Sequence, residues 1–228
     1  MATPNAFSFG RVTFLVQHTF RVEFRQGHAL IGLLLFALSS VYAAFQAVGD
    51  DAGVESWNAL IWIVLIFTAF NAMARPHPDD RPENRQYLTH VVRPLEWMLA
   101  RTVYHWALMT VLAALVFAAF ALFLGTDHLA GGRGWWMFAG LELAGWALAS
   151  CLTLLAAIAA LAGAGFGLTA VMGLPLIVPI VLVATRFGND LLGGLTGEET
   201  VENLLFLGTL AGGITAFGLV LFPYLWRD

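Results

Sequence analysis

Polar residues along this chain fall in a few short clusters, and long apolar runs fill the space between them. A helix that crosses a bilayer needs about 20 apolar residues. Residues 29–48, 57–74 and 102–126 each form a run without charge. A fourth run starts at Trp135 and holds one charge, Glu142. From Leu143 to Thr185 no charge occurs, about twice the length that one crossing needs. The sequence GAGFG at residues 163–167 marks the turn that divides this stretch, because glycine lets the chain reverse without steric cost. Residues 203–226 form the last run. The pattern predicts an all-α polytopic membrane protein with six transmembrane helices, as one domain over residues 1–228.

Composition and charge sharpen this picture. The chain is 59% hydrophobic and 11% charged, against about 25% charged in a soluble domain. That is too little polar surface to meet water on all sides, so the lipid bilayer is the expected surrounding. An even number of spans returns both termini to one side. That side carries Arg11, Arg21, Arg25, Arg75, Arg81, Arg85, Arg93, Arg101 and Arg227, and the other side Arg133 and Arg186. Arginine-rich connections stay in the cytoplasm, so both termini are predicted to be cytoplasmic. Residues 1–10 hold no basic residue and the first long run starts late, so the first span is expected to be retained. The single cysteine, Cys151, lies in an apolar run and allows neither an internal disulfide nor a cysteine metal site.

Two polar segments have helical patterns of their own. In residues 11–26, Val12, Leu15, Val16, Phe20 and Phe24 gather on one side and His18, Arg21 and Arg25 on the other, with Phe14 and Glu23 out of pattern. This predicts an interfacial helix; a plain extension of the first span is the alternative. Residues 74–94, ARPHPDDRPENRQYLTHVVRP, make a charged island between spans two and three. Asp80 can cap a helix, Pro82 suits its first turn, and Glu83 can reach back to the cap. Pro94 is read as its stop. The helix over 80–93 groups Tyr87, Leu88, Val91 and Val92 on one arc and Glu83, Gln86, His90 and Arg93 on the other. Such an arc fits either a loop helix on the headgroups or a helix docked in a partner's groove. The chain has no P-loop and no lysine, so nucleotide would have to be bound by another chain. Nothing in it points to nucleic acid.

The wording of several segments, "FRVEFRQG", "FTAFNAMA", "ENRQYL" followed by "LARTVYHWALM", and "GLPLIVPIVLV", resembles the membrane permease of the cytochrome c maturation system, the haem exporter protein B family. The likeness runs over nearly the whole chain. It implies an ABC-transporter permease subunit of the bacterial inner membrane, not itself an enzyme. It also implies a cytoplasmic ABC ATPase partner and a haem-handling membrane partner. Haem would be a transported or delivered substrate, with no cofactor bound stably and no metal site. Under this resemblance the island is the coupling helix, with Glu83, Arg85, Tyr87, Leu88, Val91, Val92 and Arg93 docking on the ATPase. Residues 163–167 carry no basic residue, so no second ATPase contact is placed there. The other readings are a permease for a lipid or drug, a b-type cytochrome subunit, and a structural subunit.

A few further residues invite chemistry. His28, His105 and His128 could ligate haem, but no pair at matching depth is evident. Trp135 and Trp136 read as an aromatic belt. Gly163 and Gly167 could permit a close helix contact. Pro175 and Pro179 are expected to break or kink span five. Glu142, about 10 Å below the outer interface at about 1.5 Å per residue from Trp135, is expected to face protein or a cavity rather than lipid. Its face continues through Phe138, Gly145, Trp146, Ala149 and Ser150, and Thr110 of span three lies at similar depth.

Overall fold

The computed structural model describes residues 7–25, 27–49, 53–73, 92–163, 166–194 and 197–225. Among them the chain forms seven α-helices, α1 (Phe9–Arg25), α2 (Gly27–Val48), α3 (Val54–Met73), α4 (Pro94–Phe123), α5 (Arg133–Leu161), α6 (Phe166–Leu192) and α7 (Glu198–Leu225), with a short 3₁₀ turn at Asp127–Leu129. No strand occurs among the described residues. Helices α2 to α7 are long and apolar enough to cross a membrane, so the chain is a multi-pass membrane protein.

Helix α5 is the axis of the bundle. It packs against α3, α4, α6 and α7, and most of its length is buried. Its sequence explains the position: Gly140, Ala144, Gly145, Ala147, Ala149, Ser150, Ala156 and Ala157 are small, and small residues let helix backbones approach closely where lipid provides no hydrophobic drive. At Gly140 a side chain would run into the ring of Phe187 on α6. The other helices keep a lipid-facing side, where Ile31, Leu35, Phe67, Leu122, Leu182 and Val220 are exposed.

Four expectations are corrected. The third span starts at Pro94, not near residue 102, and takes Glu96 and Arg101 into the helix. Proline is unfavourable inside a helix but preorganised for its first position, and the same residue that closes one helix can open the next. Consequently the last two residues of the expected 80–93 helix are not helical: Val92 lies in a bend, and Arg93 is extended at φ −77°, ψ 139°, as a residue before proline prefers. Helix α6 runs unbroken through Pro175 and Pro179, so neither breaks it; a bundle helix tolerates the lost donors when its surroundings satisfy the freed carbonyls. Gly163 does make the turn, at φ +63°, but a Cβ on Gly163 or Gly167 would meet nothing within 4 Å among the described residues, so they form no close helix contact there.

Helix α1 packs on α4 and α2. Val12 and Thr19 are buried, while Phe14, His18, Arg21 and Phe24 point outward. The two residues out of pattern in the sequence are thereby placed. Phe14 lies with the arginines on the outer face, a mixture suited to headgroups, and Glu23 lies on the inner side.

Candidate functional site

Of the predicted docking residues, Glu83, Arg85, Tyr87, Leu88 and Val91 lie outside the described residues. Val92 packs against a small core of Trp97, Met98, Leu154, Ala157 and Phe222 at the arginine-rich end of the bundle. Trp97 stacks on Phe222 at 5.3 Å between ring centroids, and Arg101 lies 5.0 Å over the Trp97 ring. Directly before Trp97 in the chain, Glu96 is fully buried. Its Oε1 accepts from Arg11 Nη2 at 2.9 Å and from the Ser8 backbone N–H at 3.0 Å. Phe20 meets Tyr104 edge-on at 4.9 Å. The start of α4, which directly follows the charged island, is thus tied to the start of α1. Neither Arg11 nor Glu96 was singled out in the sequence, because opposite charges about 85 positions apart carry no local signal of pairing.

Midway along the bundle a polar ladder joins three helices. Thr110 Oγ1 on α4 donates to Glu142 Oε2 on α5 at 2.8 Å, and Trp146 Nε1 donates to Thr110 Oγ1 at 3.1 Å. One turn on, Trp106 Nε1 donates to Ser150 Oγ at 2.8 Å, and Ser150 exchanges a bond of 2.8 Å with Thr215 on α7. The rings of Trp106 and Trp146 stack at 5.5 Å. Glu142 Oε1 has no hydrogen-bond partner among the described residues. The helical face predicted to run through Glu142 divides in two: Gly145, Ala149 and Ser150 are buried, whereas Phe138, Glu142 and Trp146 are half-buried.

A second polar cluster, at the opposite end from Glu96, escaped the sequence reading. Asn58 on α3 is 2% exposed. Its Nδ2 donates to the Thr185 carbonyl at 2.9 Å and to Asn189 Oδ1 at 2.8 Å, and its Oδ1 accepts from Trp62 Nε1 at 2.7 Å. Gly188 on α6 makes room for it, since a Cβ there would overlap the Asn58 amide. Nearby, Asn203 Nδ2 on α7 donates to Asp190 Oδ2 at 3.1 Å.

The histidines are dispersed. His105 is buried with its Nδ1 2.6 Å from Thr153 Oγ1, His28 is exposed, and His128 sits in the 3₁₀ turn. Among the described residues no cluster of three or more His, Cys, Asp or Glu could hold a metal ion. Trp135 and Trp136 are both exposed, as belt residues are.

No curated protein matches the chain. The family model described as CcmB protein matches residues 11–224, which takes in every membrane-spanning helix but the last residue of α7. With a match over nearly its whole length, the chain belongs to the CcmB family, the haem exporter B permeases of cytochrome c maturation.

Proposed function

We propose that this chain couples ATP hydrolysis by a separate cytoplasmic ABC ATPase to haem delivery across the bacterial inner membrane, with both termini in the cytoplasm and a haem-handling membrane protein as its partner. The observation that carries the reading is the distribution of arginine. By sequence, nine of the eleven belong to the two terminal segments, to the connection between spans two and three and to the adjoining start of span three, which an even number of spans sets on one side. Cytoplasmic placement of that end follows from the positive-inside rule. The island is then the contact with the ATPase, through Glu83, Arg85, Tyr87, Leu88, Val91, Val92 and Arg93. The tie from Glu96 to Arg11 and Ser8 supports a coupling role, since a push on the start of α4 reaches α1 directly. Pro175 and Pro179 would give α6 the freed carbonyls at which a helix flexes during such a cycle.

Leu88→Asp tests the reading. A charge in the apolar arc of the island should cost about 1–3 kcal/mol of association if that arc fills a groove. Recovery of the ATPase with the purified permease should fall, and with it cytochrome c yield. A cysteine at Gly197, in a background with Cys151 replaced, should still react with a membrane-impermeant thiol reagent in intact cells, which checks both insertion and orientation. Unchanged ATPase recovery, or a Gly197 cysteine shielded from the reagent, would defeat the proposal.

A further inference from the structure

Helices α1, α2 and α4 surround a cavity of about 330 Å³ at the end of the bundle where α1 gives way to α2. Leu33 of α2 and Tyr104 and Leu112 of α4 form its floor, and all three are buried. Ile31 and Leu34 on one side and Val111 on the other form its rim, and all three are exposed, so the cavity opens sideways toward lipid. The rings of Phe20 and Phe24 on α1 close the top, with Phe20 edge-on to Tyr104 at 4.9 Å. The space exists because two lining residues are small: a Cβ on Gly27 would meet nothing within 4 Å among the described residues, and Ala107 has only its methyl group. The tyrosine hydroxyl apart, every lining side chain is hydrocarbon.

Length, breadth and charge decide the occupant. The lining runs from Gly27 to Leu34 along α2 and from Tyr104 to Leu112 along α4, about 10 to 12 Å at about 1.5 Å per residue. The hydrocarbon of one leaflet is about 15 Å deep, so the crevice can follow an acyl chain over most of its length. A transmembrane helix is too broad. At about 10 Å across it fills roughly 800 Å³ over the same length, far more than the space present. At the α1 end, each lining residue is followed by a basic one: Phe20 by Arg21, Phe24 by Arg25 and Gly27 by His28, and these three are exposed. Glu23, the one acid of α1, lies on the inner side of that helix. Guanidinium groups beside the mouth of an apolar crevice suit a headgroup with net negative charge, because they pair with phosphate oxygens two at a time and are weakly hydrated.

We propose that this crevice is a binding site for one anionic phospholipid, with an acyl chain between α2 and α4 beneath the Phe20 and Phe24 rings and the phosphate held by Arg21 and Arg25. The lipid then secures the last turns of α1 on the bundle, as the bond from Arg11 to Glu96 secures the first. Nothing in the proposal depends on the ATPase or on haem. Only the leaflet that supplies the lipid follows from the orientation proposed above.

The test is native mass spectrometry of the purified full-length protein, stripped of lipid in mild detergent. It is then given palmitoyl-oleoyl phosphatidylglycerol, the matching phosphatidylcholine, or glycerol phosphate as a headgroup without chains. The expected result is a single phosphatidylglycerol retained per chain, phosphatidylcholine lost under the same conditions, and no competition from glycerol phosphate. Replacing both arginines, Arg21→Gln with Arg25→Gln, should weaken retention about thirtyfold, the effect of about 1 kcal/mol for each. Ala107→Phe keeps the arginines and fills the crevice, so retention should be lost, whereas Leu122→Phe on the lipid-facing surface should retain the lipid as wild type does. The denaturation midpoint of each variant without added lipid reports on folding. Both arginines are exposed, so their replacement should leave it unmoved, and that arm decides the matter even where Ala107→Phe weakens the bundle. Equal retention of the two phospholipids, displacement by glycerol phosphate, or full retention in the arginine variant would each overturn the proposal, as would full retention in a folded Ala107→Phe.

Discussion

Asn58 and Glu142 are both polar groups inside the apolar layer, and their surroundings differ in one respect. Asn58 is enclosed: two acceptors take its amide hydrogens, the Trp62 indole donates to its oxygen, and Gly188 closes in from α6. Glu142 is half-buried, with one satisfied oxygen and a second that is buried and without a partner among the described residues. A closed network ties helices together and asks nothing of its surroundings. A polar group left with spare capacity beside lipid is costly unless something covers it. Polarity within a span therefore has two forms here, a network with every group answered and a carboxyl with one buried oxygen unanswered among the described residues.

The largest effect that would sharpen this contrast is expected at Gly188. A methyl group there overlaps the Asn58 amide and has no open side into which to move. Gly188→Ala should therefore destabilise the bundle by about 1–3 kcal/mol, the usual range for overpacking. The measurement is the denaturation midpoint of the purified protein in detergent, together with its abundance in the membrane. A variant as stable as wild type would show that the Asn58 site is looser than its hydrogen bonds suggest, and the distinction between closed and open polar sites would fail.

How much of this was legible in advance depends on how local each signal is. Six spans and the turn near Gly163 could be read because hydrophobic length and glycine act over a few residues. Glu142 stood out as the lone charge in a span, and the match in depth with Thr110 needed only helix rise and alternating direction. Asn58 gave no such signal. It lies near the start of its span, where a polar residue reads as a boundary, and its partners Thr185, Asn189 and Gly188 come from another helix about 130 positions away. Pro94 was misread because proline is compatible with the end of one helix and the beginning of another, and only the tertiary placement of Glu96 and Trp97 decides between them. The division of the Glu142 face into buried small residues and a half-open strip also needed the neighbours, since helical periodicity gives a direction and not what stands in it.

A smaller effect is expected at Thr110, which is both the donor to Glu142 and the acceptor for Trp146. Thr110→Val keeps the shape and removes the hydroxyl. The Trp146 indole and Glu142 Oε2 then lose their common partner at once. The loss should be about 0.6–1.7 kcal/mol, the average-to-maximum range for hydrogen bonds between membrane helices, read from the same denaturation midpoint. Thr110→Ser should restore most of it. Equal stability of the Val and Ser variants would mean that the ladder contributes packing alone, and would remove the contrast from the other side.

The smallest effect on the bundle belongs to Glu142→Gln, and it separates the two roles of that residue. Glutamine keeps an oxygen that can accept from Thr110, so the internal half of the ladder survives and stability should stay within about 0.5 kcal/mol of wild type, below the average for such bonds. The buried second position changes in sign, because the place of the unpartnered oxygen is taken by an NH₂ group. Glutamine can recover by flipping its amide, but the NH₂ would then point at Thr110, whose hydroxyl already accepts from Trp146 and would lose the acceptor for its own proton. The denaturation midpoint should accordingly stay unmoved in Glu142→Gln. If the midpoint falls as far as in Thr110→Val, the charge of Glu142 serves the bundle itself, and the open site and the closed one differ in exposure alone.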